Sequence, residues 1–204
     1  MDGLQGLAGR GSTLKVLIYG HSQAQPTGLA DDMVKALGKL KVKVTRVGIA
    51  GKNDGQLLSL LDNRVGDISG YDRILLYGYG NSSTRPQTDK LLTHLGKSRT
   101  VLVIPPINLD REGVGPPEPR LEAQKRRLRE LPEEFGVPVF GIWGYRKDFR
   151  QDQIHMRPGT APGKVLVEDL LVAIGLKQRA GLPPFVVAAV AAVLAFGAWR
   201  LSRR

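Results

Sequence analysis

The chain has 204 residues, with 30 Lys and Arg against 19 Asp and Glu, a formal net charge of +11 and no cysteine. That length fits one domain plus an appendage. The charge points to an anionic partner such as lipid, wall polymer or nucleic acid, and the absence of Cys excludes disulfides and thiolate metal sites. His21, His94 and His155 are the three histidines and have no metal-ligand spacing, so no metal site is expected. An aromatic content of 6% and the lack of any nucleic-acid motif make a base-binding role a poor fit; it would rest on charge alone.

Residues 1–13 are Gly-rich and contain no apolar core of a leader peptide, so a flexible N-terminus is expected rather than a signal sequence. Leu14–Tyr19 (LKVLIY) is a short β-forming apolar run and predicts a buried strand. Gly28–Leu40 has helical spacing at Leu29, Met33, Val34 and Leu37. Val42–Ile49 alternates like a second strand. Gly55–Leu61 predicts a short helix with Asn53 or Asp54 as its N-cap. Asp72–Tyr77 (DRILLY) predicts strand three, Thr88–Leu95 a helix, and Thr100–Ile104 (TVLVI) strand four, ended by Pro105-Pro106. Asn108–Pro119 is a Gly/Pro-rich loop, Arg120–Phe135 a highly charged helix, Val137–Trp143 strand five, and Thr160–Leu176 the last helix of the domain. Strands alternating with helices imply βαβ units, and so a five-stranded parallel sheet between two helical layers over residues 14–176.

Beyond a linker at 177–182, the composition changes. Ala180–Trp199 carries no charge over 20 residues, enough for a helix of about 30 Å, the thickness of a hydrocarbon core. Pro183 and Pro184 suit a helix start, Trp199 suits an interface, and Arg200 begins a basic stop. A single transmembrane helix over 183–200 with a basic tail at 201–204 is expected; the competing reading is a buried core helix. The side of the membrane stays open. The terminal arginines favour a domain outside, while the missing leader favours a tail anchor with the domain inside.

Four short segments carry chemistry. Gly20-His21-Ser22-Gln23 follows strand one, Gly51 follows strand two, Gly80-Asn81 follows strand three, and Asp152-Gln153-Ile154-His155 follows strand five. In an open α/β sheet the ligand sits at the carboxyl ends of the strands, where all four segments fall. Taken singly each has a plain structural reading: Ser22 as a turn or cap residue, Gly51 as a turn glycine, Asn81 as an Asx-turn, Asp152 as a local cap. His21 reads as structural and His94 as a partly buried or solvated helix residue. Lys125, Arg126, Arg127 and Arg129 read as a solvated helix face.

The set resembles the SGNH (GDSL-type) hydrolases from about Lys15 to Leu176. Gly20-His21-Ser22 matches the first block, Gly51 before a short helix the second, Tyr79-Gly80-Asn81-Ser82 the third, and Asp152 to His155 the last. The resemblance implies the flavodoxin-like three-layer fold of that family, and a serine esterase that needs no cofactor. It implies Ser22 as nucleophile, His155 as base and Asp152 as the group orienting it. The Ser22 and Gly51 N–H groups and the Asn81 amide would form the oxyanion hole. The substrate stays open; the basic surface and the apolar segment, which place the domain at a membrane, make acyl or acetyl esters of wall polysaccharide and lipid esters the leading classes. His21 stands where the family has Asp, and Tyr79 where it has Gly. These departures leave open a non-catalytic, membrane-tethered module for binding or assembly, for example in a virus particle or envelope complex. Gly20-His21-Ser22-Gln23-Ala24 also approaches the Gly-x-Ser-x-Gly elbow of α/β-hydrolases, but only one strand precedes Ser22 here.

Overall fold

The computed structural model describes residues 13–26, 29–80, 82–104, 129–141, 159 and 161–176. Strands β1 (Lys15–Gly20), β2 (Lys43–Gly48), β3 (Arg73–Tyr77), β4 (Thr100–Ile104) and β5 (Val139–Gly141) form one sheet in the order β2-β1-β3-β4-β5. Every pairing is parallel. The helices between them are α1 (Leu29–Lys39), α2 (Asp54–Arg64), α3 (Arg85–Leu95), α4 (described over 129–135) and α5 (Ala161–Ala173).

The apolar runs are continuous because the sheet is covered on both faces. Within each run the side chains alternate between two cores. Val16 and Ile18 of β1, Leu75 and Tyr77 of β3, and Val101 and Val103 of β4 pack with Met33 and Leu37 of α1 and with Leu166 and Leu170 of α5. Leu17, Tyr19, Ile74, Leu76, Leu102 and Ile104 face the other way, onto Leu57 and Leu61 of α2, Leu91, Leu92 and Leu95 of α3, and Leu131 and Phe135 of α4. Three layers result, as the alternation of elements predicted. Strand β2 is an edge and is only half buried, which accounts for its mixed polar and apolar sequence.

The predicted boundaries shift for identifiable reasons. Helix α2 begins at Asp54 because Asn53 caps it in a reciprocal box with Gln56, and it runs on to Arg64 through polar residues that carry no apolar period. Helix α3 starts three residues before the predicted Thr88, with a Thr84–Gln87 capping box and Pro86 in its first turn. Strand β5 starts after Pro138, whose missing N–H cannot enter the ladder although its carbonyl accepts from the Leu102 N–H at 2.9 Å. Among the described residues no helix is long and apolar enough to cross a membrane; the 183–200 segment lies outside them, as do Arg120–Lys125 and the 1–12 stretch.

Two level glycines, Gly20 and Gly48, decide how the chain leaves β1. Gly20 has φ +151°, and a Cβ there would lie 2.2 Å from the Tyr77 carbonyl oxygen. At Gly48 a Cβ would lie 2.5 Å from the Gln25 backbone nitrogen. Bare backbone at both positions lets the 21–25 segment fold across the ends of β2 and β3. Gly20→Ala is expected to destabilise the domain by about 2–5 kcal/mol, the combined scale of overpacking and backbone strain, read by urea denaturation. A loss below about 1 kcal/mol would show that the β1–β3 crossing relaxes freely.

Candidate active site

Ser22 opens a 3-10 turn, Ser22–Ala24, immediately beyond the end of β1. The turn is tied down by backbone bonds: the His21 N–H donates to Tyr77 O at 3.1 Å, Ala24 N–H to His21 O at 2.9 Å, and Gln25 N–H to Ser22 O at 3.0 Å. His21 and Gln23 are buried on either side of Ser22, which is itself half-buried. His21 is buried just past the end of β1.

Strand order sets what lies beside Ser22. Gly20, Gly48 and Tyr77 are level across β1, β2 and β3. The loops that follow these three residues therefore emerge side by side, with the Ser22 turn between the other two. The Ile49 N–H donates to Gly20 O at 2.8 Å and fastens the β2 exit to the β1 exit. Gly51 then turns the chain with φ +69°. On the other side Gly78 donates its N–H to Val103 O at 3.1 Å, and Tyr79 adopts φ +57°. Asn81, Asp152 and His155 lie outside the described residues. The stretch that carries Asp152 and His155 leaves from the carboxyl end of β5 at Gly141 and returns at Gly159. There the Gly159 N–H donates to Asp32 Oδ2 at 2.6 Å, one turn into α1.

Tyr79 occupies a left-handed position that glycine fills more cheaply. Two contacts hold it there. Its ring meets Phe135 of α4 edge-on at 5.3 Å, a favourable aromatic geometry. Its N–H donates to Asp54 Oδ2 at 2.8 Å. The Tyr-for-Gly departure is thus accommodated by packing on the α4 side of the sheet.

Asp54 is the residue that sequence reading passed over. It looked like one of two candidate caps for α2; Asn53 is the cap, and Asp54 is fully buried behind it. Its Oδ2 accepts both the Tyr79 N–H and the Thr88 hydroxyl of α3. Its own N–H donates to Ser83 Oγ at 2.9 Å, and that hydroxyl donates onward to Gly80 O. A Cβ on Gly78 would come within 3.3 Å of both carboxyl oxygens. One acid therefore binds the start of α2, just beyond Gly51, to the whole 78–83 turn. Burial pushes its pKa up, against the opposing pull of its hydrogen bonds to Thr88, Tyr79 and Ser83. Only an acid one position inside a helix N-terminus was visible in the sequence, and that signal does not distinguish a buried anchor from a solvated cap.

No family model matches the chain, and no curated protein matches it in sequence. Solved structures do match. A lipase/acylhydrolase from Enterococcus faecalis superposes with a TM-score of 0.60 at 17% identity, covering 81% of this chain and 100% of that one. The acetylxylan esterase Axe2 from Geobacillus stearothermophilus gives 0.59 at 16% identity, over 82% of this chain and 96% of that one. The acetyl xylan esterase AlAXEase gives 0.57 at 15% identity, over 79% and 100%. The chain shares the fold of these ester hydrolases. At these identities the likeness speaks to the fold, which agrees with the expectation drawn from the four sequence blocks.

Asp54→Ala removes the acceptor from two donors and is expected to cost about 2–4 kcal/mol of stability in urea titrations. Asp54→Asn keeps an acceptor and removes the ionisable group. Because the folded-state pKa is raised, the native chain holds this proton more tightly than the unfolded chain. The contribution to stability is therefore full below the ordinary value of 3.8 and is lost as pH rises through the raised folded value. Across that range the stability difference should move in favour of the Asn variant. A difference that stays flat with pH would show that Asp54 ionises in the fold as it does in water.

Proposed function

We propose that this protein is a membrane-anchored serine ester hydrolase acting on acyl or acetyl esters. The observation that carries the reading is the placement of the Ser22 turn between the Gly51 and 78–83 turns, at the carboxyl edge of a sheet whose fold is shared with ester hydrolases. In the proposed reaction Ser22 Oγ attacks the ester carbonyl while His155 takes its proton. Asp152 holds the His155 ring in the required tautomer. The carbonyl oxygen becomes an oxyanion that accepts from the Ser22 N–H, the Gly51 N–H and the Asn81 amide. The C–O bond then breaks, His155 returns the proton to the departing alcohol, and an acyl-Ser22 ester remains. Water, deprotonated by His155, attacks that ester and releases the acid. No step requires a cofactor.

Acetyl groups on polysaccharide and lipid esters are the proposed substrate classes. The structural neighbours named as acetylxylan esterases support the first, and the 183–200 segment, uncharged up to Trp199, which would hold the domain at a bilayer, supports the second. The alternative is a non-catalytic tethered module on the same fold. It draws on the presence of Tyr79 in a left-handed position that the family gives to Gly.

A fluorophosphonate probe should label the wild-type chain on Ser22, and p-nitrophenyl acetate should be hydrolysed with a rate that rises with pH and then levels as His155 loses its proton. Ser22→Ala and His155→Ala should each cost at least about 10³-fold in kcat, and the double variant should be scarcely worse, because the two act as a unit. Asn81→Ala should lower kcat by roughly 10²–10³ with KM nearly unchanged. An unlabelled Ser22 together with no turnover of short acyl esters favours the non-catalytic module.

A further inference from the structure

The end of the sheet opposite Ser22 has its own chemistry. Strands β1, β2 and β3 begin there with Lys15, Lys43 and Arg73, and Lys15 is level with Lys43. Helix α1 arrives at the same end and stops at Lys39; the turn to β2 then presents Leu40, 46% exposed, and Lys41 at φ +56°. Lys15, Lys39, Lys41 and Lys43 are all exposed, and none forms an ion pair among the described residues. The neighbouring acid, Asp72, accepts the Lys15 backbone N–H at 2.8 Å. Arg99 does not add to this surface: its guanidinium donates to the carbonyls of Leu95, Ile68 and Tyr71.

The described part of the chain also finishes at this end of the sheet. The Ile174 carbonyl, just past α5, accepts from Arg73 Nε at 3.2 Å. Leu176 packs on the same core cluster as Leu14 and Val42, the residues that immediately precede β1 and β2. Lys177 and Arg179 follow, and then the uncharged run from Ala180 to Trp199.

We propose that this basal surface, Leu40 with Lys39, Lys41 and Lys43 beside it in the chain and Lys15 on the adjoining strand, lies on an anionic lipid bilayer, so that the Ser22 edge of the sheet points away from the membrane. Charge and shape both fit that occupant. An exposed leucine can enter the headgroup–acyl boundary while lysines around it meet lipid phosphates and keep their stems on apolar surface. Each lysine near such a surface is worth about a fivefold gain in partition. The exit of the chain beside the same patch would bring the two membrane contacts to one side of the domain, and a domain held by two contacts has a fixed orientation where a single linker leaves it free to tumble. The proposal adds a second contact to the membrane anchor proposed above and stands or falls apart from it.

The lack of native cysteine makes single-site labelling clean. Leu40→Cys and Ala50→Cys sit near opposite ends of β2, and both positions are exposed. Each full-length variant would carry an NBD fluorophore and be mixed with vesicles of phosphatidylcholine alone, or of phosphatidylcholine and phosphatidylglycerol at 7:3. Binding is read by co-sedimentation, and depth by quenching from nitroxide lipids. On the anionic vesicles the label at position 40 should shift to the blue and be quenched, and the label at position 50 should stay in water. Lys39→Glu, Lys41→Glu and Lys43→Glu together should lower the ratio of anionic to neutral binding by about a hundredfold or more. Sedimentation with neutral vesicles reports the apolar segment alone. Chain that sediments there, with both labels in water on anionic lipid, keeps the anchor and overturns the basal contact. Chain that binds only anionic vesicles, with position 40 quenched, keeps the basal contact and removes the anchor. Quenching at position 50 in place of 40, or a label at position 40 that responds to duplex DNA and not to anionic vesicles, overturns the proposal.

Discussion

The arrangement at the carboxyl edge depends on one buried carboxylate. Asp54 accepts from the Tyr79 N–H and the Thr88 hydroxyl, while its own N–H engages Ser83, so that the start of α2, the 78–83 turn and α3 are held as one body. An unpaired buried donor costs free energy comparable to a lost hydrogen bond. If Asp54 moved, the Tyr79 N–H would be stranded, the Thr88 hydroxyl would fall back on its longer bond to the Thr84 carbonyl, and Tyr79 would keep its left-handed backbone on the Phe135 contact alone. The loop after β2 and the loop after β3 flank Ser22, so a fixed distance between them is a precondition for any constellation built there.

The rest of the edge follows from close backbone approach. Gly20 lies against the Tyr77 carbonyl and Gly48 against the backbone of Ala24 and Gln25. These contacts pull the first turn inward over the sheet, bury His21 and Gln23, and leave Ser22 half-buried between them. His21 differs from the family's first block, yet its backbone N–H makes a bond to Tyr77 O that any non-proline residue would supply.

The two ends of the sheet are chemically distinct. At the carboxyl end the backbone turns tightly and His21, Gln23 and Asp54 are buried. At the amino end, lysines face solvent around an exposed leucine, and α5 delivers the chain to the same place through the Arg73–Ile174 bond. A parallel sheet produces this polarity by construction, because every strand begins at one end and finishes at the other.

The sequence by itself determined the class of fold. The runs at Leu14–Tyr19, Asp72–Tyr77 and Thr100–Ile104 are apolar without interruption, which only a strand covered on both faces requires, and helical periods separate them. It also placed Ser22 and Gly51 directly after the first two strands, where the structure has them. Helix ends were less legible, since Arg64 and Arg85 extend their helices on capping and polar residues that carry no apolar period. The role of Asp54 was not legible at all. Its partners Tyr79 and Thr88 lie 25 and 34 residues away in the chain, and a carboxylate at the start of a helix has the same local signature whether water or a neighbouring loop receives it. Lys39, Lys41 and Lys43 neighbour Leu40 in the chain, and Lys15 joined that end of the sheet only when β1 and β2 were set side by side. Local sequence encodes burial and period; which loops share an anchor, and which charges share a face, are decided by strand order, and that is a property of the packed chain.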